Sequence, residues 1–201
     1  MNLRYVAFEG IDGAGKSTVS RGAAEAFGAA GHDVVVVREP GGTPVGESIR
    51  HVLLDRGGSM GPWAEAMPFA AQRAQLAIEV IAPALAAGRV VVGDRSVYSS
   101  LAYQGGARRL GIDDVRRVNA AGLQGVWPGL VVLLRVDPET GLAREDEADR
   151  ISIEGARFQA AVAEAYDALA AAEPERFIVL DARRPVAEVV DSAVEEVMGR
   201  W

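Results

Sequence analysis

The 201-residue chain contains no cysteine, two histidines and a single lysine. Without cysteine there is no disulfide, no thiolate nucleophile and no cysteine-ligated metal, and a cytoplasmic setting is expected. The two histidines are His32, in a turn, and His51, on a helix; both are read as structural. No run of about 18 uninterrupted apolar residues occurs, so no membrane span is expected. Asn2-Leu3-Arg4-Tyr5 leads straight into a strand-like segment without the pattern of a signal peptide. Basic residues are outnumbered by acidic ones, 21 against 28, for a formal net charge of −7. That balance argues against broad nucleic-acid binding, which needs a basic face.

What is present is about half apolar residues, enough for one domain over residues 1–201 with a sizeable core. Among the 21 basic residues only Lys16 is lysine. It stands in Gly10-Ile11-Asp12-Gly13-Ala14-Gly15-Lys16-Ser17-Thr18, which fits the phosphate-binding loop G-x-x-x-x-G-K-[ST]. A compact ammonium on a flexible stem can follow a polyphosphate through a glycine-lined cradle where a planar guanidinium is too wide. The glycines let successive N–H groups point inward, and the helix that begins near Lys16 adds its positive end. Lys16 can then reach the β- and γ-phosphates, and Ser17 offers a hydroxyl to Mg²⁺.

Periodicity places this loop between a strand and a helix. Apolar, β-branched runs at Leu3–Glu9, Val34–Arg38, Val90–Asp94, Leu130–Val136 and Phe177–Asp181 predict five strands. Helical patterns at Lys16–Ala30, Pro44–Asp55, Trp63–Ala87, Asp113–Gln124, Gly155–Ala172 and Pro185–Met198 separate them, with Pro83 expected to kink or shorten the third. The alternation predicts a doubly wound α/β fold: a five-stranded parallel sheet, Leu3–Glu9 central, covered by helices on both faces. Ligands then belong beyond the carboxyl ends of the strands. Arg56–Gly61 and Glu145–Ser152 are expected to be mobile. A guanine-nucleotide switch is excluded, because its base-reading motif needs a second lysine.

Beyond the loop, four segments carry a resemblance. They are Phe8–Thr18, Arg38-Glu39-Pro40-Gly41-Gly42-Thr43, Phe69-Ala70-Ala71-Gln72-Arg73, and the run Asp94-Arg95-Ser96 through Tyr103-Gln104-Gly105. Together with Asp149-Arg150 and Phe177–Ala182 they resemble bacterial-type thymidylate kinase over nearly the whole chain. The resemblance implies a P-loop nucleoside monophosphate kinase that uses ATP, dTMP and Mg²⁺, and a two-fold homodimer formed through helices. The alternative is another P-loop kinase of a (deoxy)nucleoside or a different monophosphate; Glu9 could imitate the base that a nucleoside kinase needs. A non-catalytic nucleotide-binding regulator is the reading from a different class.

Phe69 and Arg73, four apart, share a helix face, so a ring can stack on a pyrimidine while a guanidinium meets a base carbonyl. Ser99, Ser100, Tyr103 and Gln104 fall within one or two turns after Asp94-Arg95; a hydroxyl there can meet thymine N3–H, and the Tyr103 ring can pack under the sugar and disfavour a 2′-OH. The resemblance makes Arg95 the bridge between acceptor phosphate and transferring phosphoryl, and gives Asp94 a part in holding Mg²⁺. Arg38 and the backbone of Pro40–Thr43 should approach the dTMP phosphate, with Arg50 a weaker candidate. Asp12 is placed near Mg²⁺ or the acceptor sugar. Because one branch of the family carries an arginine where this chain has Gly13, the catalytic arginine is expected in a short lid at about 145–152. Arg150 is the candidate, with Arg157 as substitute. Ser152 stands where relatives commonly have glutamate. Arg144 should lie against adenine, read by backbone near Asp181-Ala182-Arg183.

Overall fold

The computed structural model describes residues 2–55, 59–144 and 150–201. Of the expected mobile segments, Arg56–Gly61 and Glu145–Ser152, residues 56–58 and 145–149 lie outside the described residues. Five strands, β1 (Tyr5–Glu9), β2 (Val34–Arg38), β3 (Val90–Asp94), β4 (Leu130–Arg135) and β5 (Phe177–Asp181), form one sheet in the order β2-β3-β1-β4-β5. Every pairing is parallel, and β1 is central, buried along its full length, as its unbroken apolar run requires. Side chains alternate across the sheet. Tyr5 and Val91 pack with Leu76, Ile81 and Ala84, while Val6, Phe8, Val90 and Val92 join Val19, Ala23 and Phe27 in the larger cluster.

The helices are α1 (Lys16–Ala29), α2 (Pro44–Leu54), α3 (Pro62–Leu76), α4 (Ala82–Ala86), α5 (Val97–Ser100), α6 (Ile112–Leu123), α7 (Pro138–Ala143), α8 (Ala156–Ala172) and α9 (Val186–Met198). The segment expected as one helix over Trp63–Ala87 is continuous, but a π-helical turn at Ala77–Ile81 joins α3 to α4. Pro83 enters at the start of α4, just past that wider turn, so the chain absorbs the lost N–H without ending the helix. Helix α7 was not anticipated. Its N-cap is Asp137, whose carboxylate accepts from Thr140 N at 2.9 Å, with Pro138 in the first turn. A second π-helical stretch, Leu101–Ala107, continues α5 and carries Tyr103 and Gln104. Such widened turns concentrate at functional sites.

Candidate active site

The loop after β1 is shaped by glycine. Gly10, Gly13 and Gly15 have φ of 146°, 72° and 86°, values that L side chains rarely adopt. A Cβ on Gly13 would overlap the backbone oxygen of Gly141 on α7, so an arginine cannot stand here while that packing persists. Gly15 is also the N-cap of α1 and supplies no capping side chain, and no acidic residue occupies the first turn. By contrast α2 is capped by Thr43, which accepts from Gly46 N at 2.9 Å. The helix beside the loop thus keeps its first N–H groups for an outside anion. Ser17 and Thr18 are exposed on that turn.

Lys16 Nζ donates to Ile11 O at 2.6 Å and is buried. Burial and the nearby Arg95 guanidinium lower its pKa to about 8, against the opposing pull of Asp12, Asp94 and Glu9. Ser17 Oγ donates to Asp94 Oδ2 at 2.5 Å, which brings two hard oxygen ligands together at the end of β3. Among the described residues no group of three or more potential metal ligands occurs. The Ser17 and Asp94 oxygens fit the needs of Mg²⁺, which binds through one or two protein oxygens and takes phosphate and water for the rest.

From the loop a cavity of about 340 Å³ runs across the carboxyl ends of β1 and β3. Asp12, Lys16, Ser17, Asp94, Arg95 and Arg38 line one end; Pro40, Phe69, Ser99, Ser100, Tyr103 and Gln104 also line it. The sequence-predicted acceptor residues are therefore gathered into one space, except Arg73. Gly13 and the weaker candidate Arg50, which donates to Pro40 O at 2.8 Å, also line it, as do Glu39, Leu54 and Ile151, which were unforeseen.

The charges along it are already matched. Arg95, at the strained φ of 72°, pairs with Asp12, and also donates to Gly10 O and Ser99 Oγ, each at 3.3 Å. Tyr103 OH donates to Asp12 Oδ1 at 3.0 Å. Gln159 of α8, fully buried and not foreseen, clamps Asp12 twice: Nε2 donates to Oδ2 at 2.7 Å and Oε1 accepts from the Asp12 N–H at 3.3 Å. Burial alone would raise the Asp12 carboxyl, but Arg95, Lys16, Gln159 and Tyr103 outweigh it and hold it below its ordinary value.

Glu9 is also fully buried. Its carboxylate accepts from Ser96 Oγ at 2.7 Å, from Ser99 N and Oγ at 3.2 and 2.6 Å, and from Tyr166 OH at 2.6 Å. With both oxygens occupied, Glu9 ties the start of α5 to β1 and is not poised as a base. The Glu39–Pro40 bond is cis. Burial raises the Glu39 carboxyl, with Arg73 opposing, and Glu39 Oε1 is buried without a partner among the described residues.

Other residues expected at the site stand as follows. Arg73 does not line the cavity: it is 1% exposed, with Nε on Glu39 at 2.6 Å, Nη1 on Ser100 Oγ and Asn119 at 3.1 and 2.5 Å, and Nη2 on Ser96 O at 3.2 Å. It lies under the wall and orients Ser100. Arg150 does not reach toward the loop, because Nε donates to Leu53 O and Nη1 to Glu65, both at 2.8 Å. Its carboxylate partner lies 85 residues away in sequence. Arg157 is exposed on a separate groove with Phe158 and Glu164. Of the arginines proposed for transfer, Arg95 alone lines the cavity. The Gly41 and Gly42 N–H groups, expected at the acceptor phosphate, donate to Gln72 Oε1 at 3.1 Å and Glu47 Oε1 at 2.8 Å. Arg38 also pairs with Glu47, at 3.0 Å. On the other side of the loop, Arg144 donates to Ala182 O at 3.0 Å, joining two elements expected at adenine. Asp181 accepts from the Arg183 side chain and N–H, which hold it below its ordinary value.

The family model for thymidylate kinase matches residues 8–193. A thymidylate kinase from Halothermothrix orenii is 43% identical over 201 residues, covering 97% of this chain and 96% of that protein. One from Clavibacter sepedonicus is 45% identical over 185 residues, covering 90% and 88%. The crystal structure of thymidylate kinase from Ehrlichia chaffeensis superposes with a TM-score of 0.80 at 26% identity, covering 96% of this chain and 97% of that one.

Proposed function

The chain belongs to the thymidylate kinase family, and from that premise we propose that it transfers the γ-phosphoryl of ATP to dTMP, giving dTDP and ADP. The observation that carries the residue assignment is the single cavity joining Lys16 and Ser17 to Arg95 and on to Phe69, Ser100 and Gln104. The loop of Gly10–Thr18 holds the donor phosphates, with Lys16 on the β- and γ-groups. Arg144 and the backbone near Asp181 flank adenine. Ser17 and Asp94 are the residues that would hold Mg²⁺, which when bound neutralises charge on the donor phosphates.

The acceptor nucleophile is a phosphate oxygen, already ionised at neutral pH, so no general base is needed. A bond forms from that oxygen to the γ-phosphorus as the bond to the β-bridging oxygen breaks. The work left to the protein is alignment and charge neutralisation. Arg95 does the latter. It is held ready by Asp12, and an arriving phosphate competes with that carboxylate for the guanidinium. Phe69 stacks on the base, Ser99 and Ser100 line the wall beside it, and Pro40 and Arg38 close the phosphate end. Tyr103, fixed by Asp12, packs under the sugar. Arg73 and Arg150 act from outside the cavity as it stands here.

A homodimer is the proposed assembly, supported by exposed Val45 and Val52 on α2 and exposed Trp63 and Met67 on α3, two helices that pack together. No described helix is long and apolar enough to cross a membrane. A cytoplasmic location and the lack of a nucleic-acid partner are proposed from the absent cysteine and the net charge of −7. A coupled ADP-release assay with dTMP, thymidine, dUMP and CMP tests the acceptor. Turnover should be highest with dTMP, and ADP release that ignores dTMP overturns the reading.

A further inference from the structure

Gln104 lines the cavity with only 2% of its surface exposed, and its amide has two chemically opposite ends. Which end meets a ligand is decided behind it. Glu65, on α3 and 1% exposed, does not line the cavity. Its Oε1 accepts from Gln104 Nε2 at 2.8 Å and from Arg108 Nε at 3.2 Å. Its Oε2 accepts from Arg108 Nη2 at 3.2 Å and from Arg150 Nη1 at 2.8 Å. Burial by itself would raise this carboxyl, but Gln104, Arg108 and Arg150 outweigh it and hold it below its ordinary value. Glu65 is therefore ionised, and an ionised carboxylate only accepts hydrogen bonds. Only the NH₂ end of Gln104 can face it.

We propose that Glu65 is a specificity-setting positioning residue, which locks the Gln104 amide so that its carbonyl oxygen is the group offered to the acceptor base. The inference rests on the dTMP reading above. A thymine or uracil ring carries N–H at N3, which pairs with that oxygen. A cytosine ring carries a lone pair at N3, which is repelled by it. Ser100 agrees with this polarity, since its Oγ already accepts from Arg73 at 3.1 Å and keeps its proton to donate toward a carbonyl such as O4. The arginines have a second part: Arg108 and Arg150 keep Glu65 charged, and Arg108 is itself held by Glu154 at 2.7 Å and by the Phe158 ring at 4.5 Å. Two arginines, one carboxylate and one amide thus fix a single donor-acceptor choice in the wall.

Glu65→Gln tests this. The substituted amide can donate, so Gln104 can turn over and present NH₂ to the base. With dTMP and dCMP as probes, binding of dTMP should weaken about 10-fold, the size expected for one lost buried hydrogen bond. The dTMP-over-dCMP affinity ratio should fall by a similar factor, with kcat for dTMP changing less than KM. Equal weakening of both nucleotides would mean a merely structural role and overturn the proposal. If Glu65→Gln does not fold, the native protein still decides. The Gln104 side-chain NH₂ signal, identified by its loss in Gln104→Leu, should exchange slowly with solvent and stay so when dTMP binds. Fast exchange overturns the lock. Failure of the unsubstituted protein to phosphorylate dTMP would overturn the acceptor reading instead, and leaves the exchange measurement to judge the amide.

Discussion

The phosphate loop and the acceptor wall meet in one cavity but are made by opposite means. The loop draws its chemistry from nine consecutive residues and mostly from their backbone, and the helix behind it is left uncapped. The wall draws side chains from β1, β3, α3, the π-helical stretch and α8, with partners as far apart in sequence as Asp12 and Gln159. Donors in the loop wait for an outside anion, whereas the wall's arginines are already matched by Asp12, Glu39 and Glu65. A loop of open backbone donors holds any polyphosphate. A wall of paired charges favours a ligand that replaces the partners it displaces, because each displaced group left unpaired costs about 1–3 kcal/mol. On the proposed function, selectivity belongs to the wall.

The largest effects should separate the two regions. Lys16→Met should lower kcat/KM about 10³-fold through the donor side, and Arg95→Met should lower kcat by about 10³-fold or more. In calorimetric titrations the Lys16 variant should lose ATP affinity and keep dTMP affinity. The Arg95 variant should do the reverse. If Arg95→Met weakens ATP as much as dTMP, the regions are one unit and the comparison breaks. Next in size is a stability effect confined to the wall. Glu9→Ala strands four donors, those of Ser96 and Tyr166 buried and the two of Ser99 part-buried, and should cost about 3 kcal/mol in urea unfolding. A loss under about 1 kcal/mol would show that water satisfies these groups and that the wall is not pre-locked.

The same contrast explains what could be read from the sequence. All five strands were legible, because runs such as Val34–Val37 and Val90–Val92 are β-branched, bounded by turns and paired in a parallel sheet, although only the second is buried along its length. The loop was legible because its function needs contiguous residues at fixed spacing. The wall was legible in its lining but not in its second layer. Arg73 and Arg150 read as ligand-facing because a sequence shows the guanidinium and hides its carboxylate, which here stands 34 and 85 residues away. Gln159 left a faint signal: it shares the buried stripe of α8 with Val162, Tyr166 and Leu169. A polar residue on such a stripe needs a buried partner, although nothing in the pattern names Asp12. Glu65 is of the same kind, a buried acid on the Phe69–Arg73 side of α3. The π-helical turn carrying Tyr103 and Gln104 has no spacing signature at all.

Gln159→Leu tests how far that hidden layer matters. It removes both clamps on Asp12 without touching the loop backbone directly. The dTMP KM should rise about 10-fold, the equivalent of one hydrogen bond of about 1.4 kcal/mol, while the ATP KM stays within about 2-fold. An equal rise in both would place Asp12 with the donor site rather than the wall.

The smallest effect is a proton. Lys16 is the loop's one cation, and burial beside Arg95 lowers its pKa from 10.5 to about 8. Donor phosphates bring negative charge to the ammonium and raise that pKa again. ATP binding near pH 8 should therefore take up a fraction of a proton, about one half at most if half of the free protein carries neutral Lys16. The folding consequence has the same sign. Between pH 8 and 10.5 the unfolded chain holds the Lys16 proton and the folded one does not, so this group's contribution to stability rises with pH across that window. ATP affinity should fall across the same window, since neutral Lys16 must first be recharged. Calorimetry in two buffers of different ionisation enthalpy reads the uptake directly. Uptake is compared per mole of ATP bound, so that the variant's weaker affinity does not enter. Identical uptake by Lys16→Met would assign the proton elsewhere, whereas its loss, with dTMP binding unaltered, would locate the loop's pH response in its single lysine and leave the paired charges of the wall indifferent to it.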